Sequence, residues 1–166
     1  MSATYVSSFT RTHTATYVAD KMRVLLTDVV REYGLDPQTL QSDWSSCVGD
    51  AARLWMASGH LESISIEFYA PGSNVASARW DFPIRYDAVG VDELWVDKTF
   101  LRDSIAKSRT PPVGCTYRVI LSYKPGAAAV PGMSDCTFKD VSQLQARSAG
   151  TVISTPDINA TARYYL

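Results

Sequence analysis

The stretch ESISIEFYAPGSNVASARWDFPIRY, Glu62 to Tyr86, decides how the rest of the chain must be arranged. Ile64, Ile66, Phe68 and Ala70 fall on one side of an alternating run, with Ser63, Ser65 and Glu67 on the other. That is the two-residue period of a half-buried strand. Pro71-Gly72-Ser73-Asn74 supplies a turn, and a second alternating run follows. There Trp80, Phe82, Ile84 and Tyr86 point one way, and Arg79, Asp81 and Arg85 the other. The pair reads as an antiparallel hairpin with one apolar face. A lone hairpin is marginal in water, so helices must cover the Trp80 face. Pro83 lacks an N–H, which predicts that its strand lies at or near a sheet edge.

At 166 residues the chain suits one domain with a sizeable core. Its 46% apolar and 20% charged residues are ordinary for a globular protein. A net charge of −1 gives no general reason to expect nucleic acid or an anionic membrane as partner. No apolar run approaches the roughly 20 residues that span a bilayer, and no signal-peptide core is present. Three widely spaced cysteines, Cys47, Cys115 and Cys136, suit a reducing cytoplasm, with Cys47 and Cys115 as buried small hydrophobes. The sequon at Asn159 then carries no meaning.

Upstream of the hairpin, Met1 to Thr12 reads as a loosely attached strand or a tail, anchored at most by Tyr5, Val6 and Phe9. A helix starts near Thr14, with Tyr17, Val18, Met22, Leu25, Leu26, Val29 and Val30 at helical spacing. Gly34 ends it, and Asp36-Pro37 opens a second helix. The apolar side of that helix is Leu40, Trp44, Cys47, Val48, Ala51, Leu54 and Trp55. Downstream, an acidic connector from Asp87 to Glu93 leads to a short amphipathic helix near Asp97 to Lys107. Phe100, Leu101 and Ile105 form its inward stripe, and Thr110-Pro111-Pro112 stops it. Val113 to Tyr123 alternates again as a third core strand; Ile120 breaks its polar face, which implies partial cover on both sides. Pro125 to Gly132 is a small-residue linker, too poor in bulk for a core. Scattered anchors follow at Phe138, Val141, Leu144, Val152, Ile153, Ile158, Tyr164, Tyr165 and Leu166. Such a tail cannot fold alone and must drape over the body; from the residues alone it reads first as a C-terminal extension that finishes the sheet.

Residues that could carry chemistry are few. His13 and His60 are the two histidines, and no Cys or His spacing resembles a zinc site. No glycine-rich phosphate loop, Gly-x-Ser-x-Gly elbow or nucleophile–base motif is present. Asp20, Asp28 and Asp50 are interspersed with Lys and Arg and read as solvated faces. No catalytic residue, metal site or cofactor is therefore expected.

The order of parts resembles a HORMA domain: long helix, second helix, hairpin, short helix, third strand, draping tail. Phe9 to Tyr33, the turn from Ala57 to Glu62, and Ser148 to Thr155 are similar to bacterial HORMA proteins. Those proteins are encoded beside enzymes of cyclic-oligonucleotide anti-phage signalling (CBASS). The resemblance implies an α+β, HORMA-like fold over residues 1–166, with residues 1–124 as core and 125–166 as hinge and safety belt. The belt proper would run from about Ser134 to Leu166, anchored by Phe138, Ile158, Tyr164 and Tyr165. In the family the belt wraps a closure-motif peptide that adds a strand to an exposed edge. Carried over, the peptide-binding residues are Thr116, Tyr117, Arg118, Val119 and Ile120 on the receiving strand, with Val152 and Ile153 on the belt. The resemblance further implies a cGAS-like nucleotidyltransferase as the activated partner and an AAA+ ATPase that reopens the belt. Pro83 sits awkwardly with this, because a closed belt pairs with the hairpin's second strand. Two other readings stay open: an α+β enzyme or ligand-binding domain with Trp80, Tyr86 and Tyr117 around a pocket, and a structural oligomerisation module.

Overall fold

The structure, a computed structural model, describes residues 2–86, 95–96, 98–106 and 114–166. Helix α1 runs Ser2–Glu32, so the start of the chain is helical backbone and neither strand nor loose tail. No glycine or proline interrupts Ser2 to Tyr33, and nothing local stops the helix from extending backwards. The anchors expected at Tyr5, Val6 and Phe9 lie outside the described side chains. From Ala15 onward the helical stripe is buried: Val18, Ala19, Met22, Leu25, Leu26, Val29 and Val30. Gly34, at φ 74°, ends the helix; its N–H donates to Arg31 O (2.9 Å) and that of Leu35 to Val30 O (3.1 Å).

The second helix is broken into α2 (Gln38–Asp43), a π-helical turn (Trp44–Val48) and α3 (Gly49–Ala57). The wide turn shifts the phase of everything after it. Ala51 and Trp55 face the core as expected, Ala52 and Met56 join them, and Leu54, expected inside, is 45% exposed.

Strands β1 (Leu61–Tyr69) and β2 (Ala78–Tyr86) form the expected hairpin, with Ile66 opposite Trp80. Phe68, Trp80 and Phe82 are fully buried, each worth about 1.5–3 kcal/mol of transfer free energy. Helix α1 closes over them through Tyr33, whose ring lies 4.4 Å from that of Phe68 and whose hydroxyl accepts the Trp80 indole N–H (3.1 Å). Short β3 (Trp95–Val96) and helix α4 (Lys98–Ala106) come next. Phe100, Leu101 and Ile105 fall in α4, but their side chains, and with them the expected stripe, lie outside the described ones; the connector from Asp87 to Glu93, the stop at Thr110-Pro111-Pro112, and Val113 lie outside the described residues. Strand β4 (Thr116–Tyr123) pairs with β1, and Ile120 is buried as its place in the pattern implies.

The tail is more ordered than its composition suggests. β5 (Ala146–Ser154) and β6 (Ile158–Tyr165) complete one sheet in the order β3-β5-β6-β2-β1-β4. β2 is thus interior, which corrects the edge position read from Pro83. The ladder accommodates the proline by a gap: Asp81 pairs with Arg163 and Ile84 with Ala160, and Phe82 and Pro83 take no partner from β6. Without the tail β2 is the edge of the body; the tail covers it. Tyr164 stacks on Trp80 at 4.6 Å, and Arg11 of α1 reaches Asp157 in the β5–β6 turn (3.2 Å). The tail supplies core residues too, since Val152, Ile153, Ile158 and Ala160 are fully buried. No helix among the described residues is long and apolar enough to cross a membrane.

Candidate functional site

Opposite the tail strands, the outer edge of β4 pairs with no strand among the described residues. The chain between β4 and β5 circles this edge. It leaves on the helical side, where Lys124 N–H donates to His60 O (2.8 Å) and the Trp55 indole N–H to Ala128 O (2.7 Å). Gly132 passes so close to Cys47 that a β-carbon there would lie 3.1 Å from Cβ of Cys47. The linker is not a bare tether: Ala127, Val130 and Met133 pack against the core. The chain then crosses to the other face of the sheet. Tyr123 donates its hydroxyl to Asp135 Oδ1 (2.7 Å), and the Arg118 guanidinium donates to Thr137 O.

On that far face lies a polar strip, buried rather than solvated. Glu67 is fully buried, accepting from Arg118 Nε (2.8 Å) and from the Lys139 backbone N–H (2.7 Å). Lys139 Nζ donates to Ser73 O (2.7 Å). Asp140 then forms a parallel bridge with Val75, exchanging bonds with Asn74 O and Ala76 N–H at 2.9 Å each. Its carboxyl is held below the ordinary value of 3.8, first by the Ser142 backbone N–H and then by the Ser142 hydroxyl. Arg79 joins the two halves of the tail, its guanidinium lying 4.5 Å from the Phe138 ring centroid and 4.4 Å from that of Tyr165. Asp81, buried beside it, sits 3.1 Å from Arg79 Nε and 3.7 Å from Arg163.

Between the encircling segment and β4 is a cavity of about 520 Å³, within the range of ligand-sized clefts. Its β4 wall is Val119 to Tyr123; Trp55, Val130, Met133, Asp135 and Phe138 contribute to the rest. Of the residues carried over as peptide-binding, Val119 and Ile120 line it. Thr116, Tyr117 and Arg118 lie farther along β4 and do not. Tyr117 instead donates its hydroxyl to Asp36 O (2.7 Å) and accepts Leu40 N–H (3.1 Å), and burial pushes its hydroxyl pKa up. Val152 and Ile153 sit in β5, across the sheet from β4, and do not meet the others. Of the anchors, Ile158 and Tyr164 are buried, Tyr165 is half-buried, and Phe138 is 43% exposed at the cavity mouth. Sequence reasoning missed Trp55, Asp135, Glu67 and Lys139. Only Trp55 offered a signal, as an indole N–H near a helix end with no local acceptor.

Trp80, Tyr86 and Tyr117 form no common pocket around this cavity, and none of them lines it. Tyr86 donates to Leu61 O (2.7 Å), with burial raising its hydroxyl pKa. His60 Nδ1 bonds the Ser58 hydroxyl (2.8 Å), away from the cavity.

A six-stranded sheet backed by helices, its last strands crossing to the far edge after circling the first, is a HORMA architecture. The chain belongs to the bacterial HORMA domain 2 family, whose model matches residues 3–166. A chain of the mitotic checkpoint complex is similar at TM-score 0.74 and 11% identity, covering 92% of this chain and 97% of that one. C. elegans HTP-1 bound to HTP-3 motif-1 is similar at TM-score 0.66 and 13% identity, covering 92% and 89%. A chain of the E. coli MS115-1 CdnC:HORMA-deltaN complex is similar at TM-score 0.56 and 14% identity, covering 91% and 86%. At such identities these likenesses speak to the fold. Among curated proteins none matches.

Proposed function

We propose that this protein is a non-enzymatic signalling adaptor of the cytoplasm that holds a closure-motif peptide on the free edge of β4, beneath residues 125–140. The observation that carries this reading is the cavity itself. An unpaired strand edge offers backbone donors and acceptors to an extended segment, and a chain passing around it resists escape. The belt then spans residues 125–166, in two halves: an encircling half that closes the cavity and a strand-forming half that seats on β2. The complexes of HTP-1 with HTP-3 motif-1 and of CdnC with a HORMA protein support the further reading. In it the peptide-loaded form binds a cGAS-like nucleotidyltransferase and raises its activity, and an AAA+ ATPase reopens the belt.

Activation requires the loaded adaptor to bind the active partner more tightly than the inactive one. The test is cyclic-nucleotide synthesis by a purified cGAS-like nucleotidyltransferase, with and without the protein and its peptide. Stimulation by the loaded protein is the expected result; no stimulation in any combination, or product from this chain alone, contradicts it. For reopening, trimming Met1 to Ser8 is expected to leave peptide binding intact and to slow ATPase-driven release. Equal release rates would contradict a grip at the N-terminal end.

A further inference from the structure

Among the described residues Asp135 is the one charged side chain lining the β4 cavity. Its Oδ1 accepts the Tyr123 hydroxyl (2.7 Å), while among the described residues Oδ2 accepts no hydrogen bond. Among the described residues no cation of β4 or of the segment after it pairs with Asp135. Arg118 is committed to Glu67 and Thr137, Lys139 to Ser73 O and the Tyr69 ring, and Lys124 lies over the Tyr86 ring. The remainder of the wall is apolar or uncharged, with Trp55, Val119, Leu121, Val130 and Met133 as its bulk. An acidic side chain brought here would meet a carboxylate that no cation among the described residues offsets. A basic one would find a partner in an exposed carboxylate already fixed by the Tyr123 hydroxyl, an ion pair that salt screens.

We propose that the segment held in the β4 groove carries a lysine or arginine opposite Asp135, at the Tyr123 end, and apolar side chains facing the Trp55–Met133 wall. This rests on the peptide reading above and adds a charge rule to it. Strand addition places alternate side chains on opposite faces, so the basic residue and its apolar neighbours follow a two-residue period. Asp135 is on this view a specificity residue, and Tyr123 a positioning residue that fixes the carboxylate.

The experiment is selection from a random ten-residue peptide display library against the purified full-length chain, repeated with Asp135→Asn, Asp135→Lys and Tyr123→Phe. Synthetic fluorescent versions of the winners are then titrated at low and high salt. The wild type is expected to enrich peptides with one basic residue at a fixed offset from apolar positions. Asp135→Asn should bind those peptides about fivefold more weakly, the upper end for an exposed ion pair, with a flattened salt dependence. Asp135→Lys should turn the preference toward Asp or Glu, and Tyr123→Phe should keep the basic preference. Peptides that bind the groove without basic enrichment, or an unchanged preference in Asp135→Lys, overturn the charge rule and leave the peptide reading standing. A library yielding no binder to the wild-type chain overturns both.

Discussion

Glu67 is one more polar residue in an alternating strand, yet it is fully buried and ties two distant parts of the chain together. Its carboxylate receives Arg118 from the neighbouring strand and the Lys139 amide from the encircling segment, at 2.8 and 2.7 Å. Glu67→Ala leaves that amide and the Arg118 Nε–H without their acceptor, while the guanidinium keeps its bond to Thr137 O; the loss costs about 1–3 kcal/mol. Urea denaturation should register that loss, and amide exchange at Lys139 should accelerate while α1 is unchanged. Gly49 is constrained by space rather than by backbone angle. A β-carbon there would stand 2.7 Å from Cδ1 and Nε1 of the Trp44 ring and 2.8 Å from Trp44 O. Gly49→Ala must displace the indole or open the π-helical turn, at about 1–3 kcal/mol, read as a lower thermal midpoint with the fold retained. Neither role was legible in the sequence, because both depend on which residues the turn and the belt bring within reach.

At the scale of elements, the encircling segment is held by separate fastenings on the far face of the sheet. The Asp140 turn gives one of them a pH dependence. Its folded pKa lies below the ordinary 3.8 because Ser142 donates to the charged form. The stabilisation is therefore fully present above that ordinary value and is lost as pH falls through the lowered folded one. The Ser142 amide resonance should titrate with a midpoint below 3.8; a midpoint at or above it would contradict the assignment. The hairpin, β4 and the buried stripe of α1 were legible because alternation and helical spacing are local signals. Leu54 was misplaced because periodicity assumes an uninterrupted helix, and the π-helical turn breaks that assumption. That the tail finishes the sheet was legible, but β5 was not legible as a strand: Ala146 to Ser154 is rich in Ser, Ala and Gly, and it is held in register by β6 on one side and short β3 on the other. The cavity was legible only through resemblance, since its walls come from α3, β4 and a linker whose composition suggested empty tether.

For the molecule as a whole, the tail cannot be treated as an accessory. Its strands bury Val152, Ile153, Ile158 and Tyr164 in the common core, so cutting it away exposes the Trp80 face. Paired replacement of Tyr164 and Tyr165 by Ala is the gentler probe. It removes the stack on Trp80 and one of the two rings around Arg79, and should loosen the C-terminal strand and lower nucleotidyltransferase activation while α1 and β1 remain folded. Two packings of such a tail need differ by only a few kcal/mol to act as a switch. The central claim, that the β4 edge is where a peptide is held, is tested most directly by amide hydrogen exchange of the full chain with and without a saturating library-selected peptide. Added strand pairing should protect alternate amides of Val119 to Tyr123 and slow exchange in residues 133–138 of the encircling segment. Unchanged exchange along β4, with protection arising elsewhere in the molecule, would contradict it.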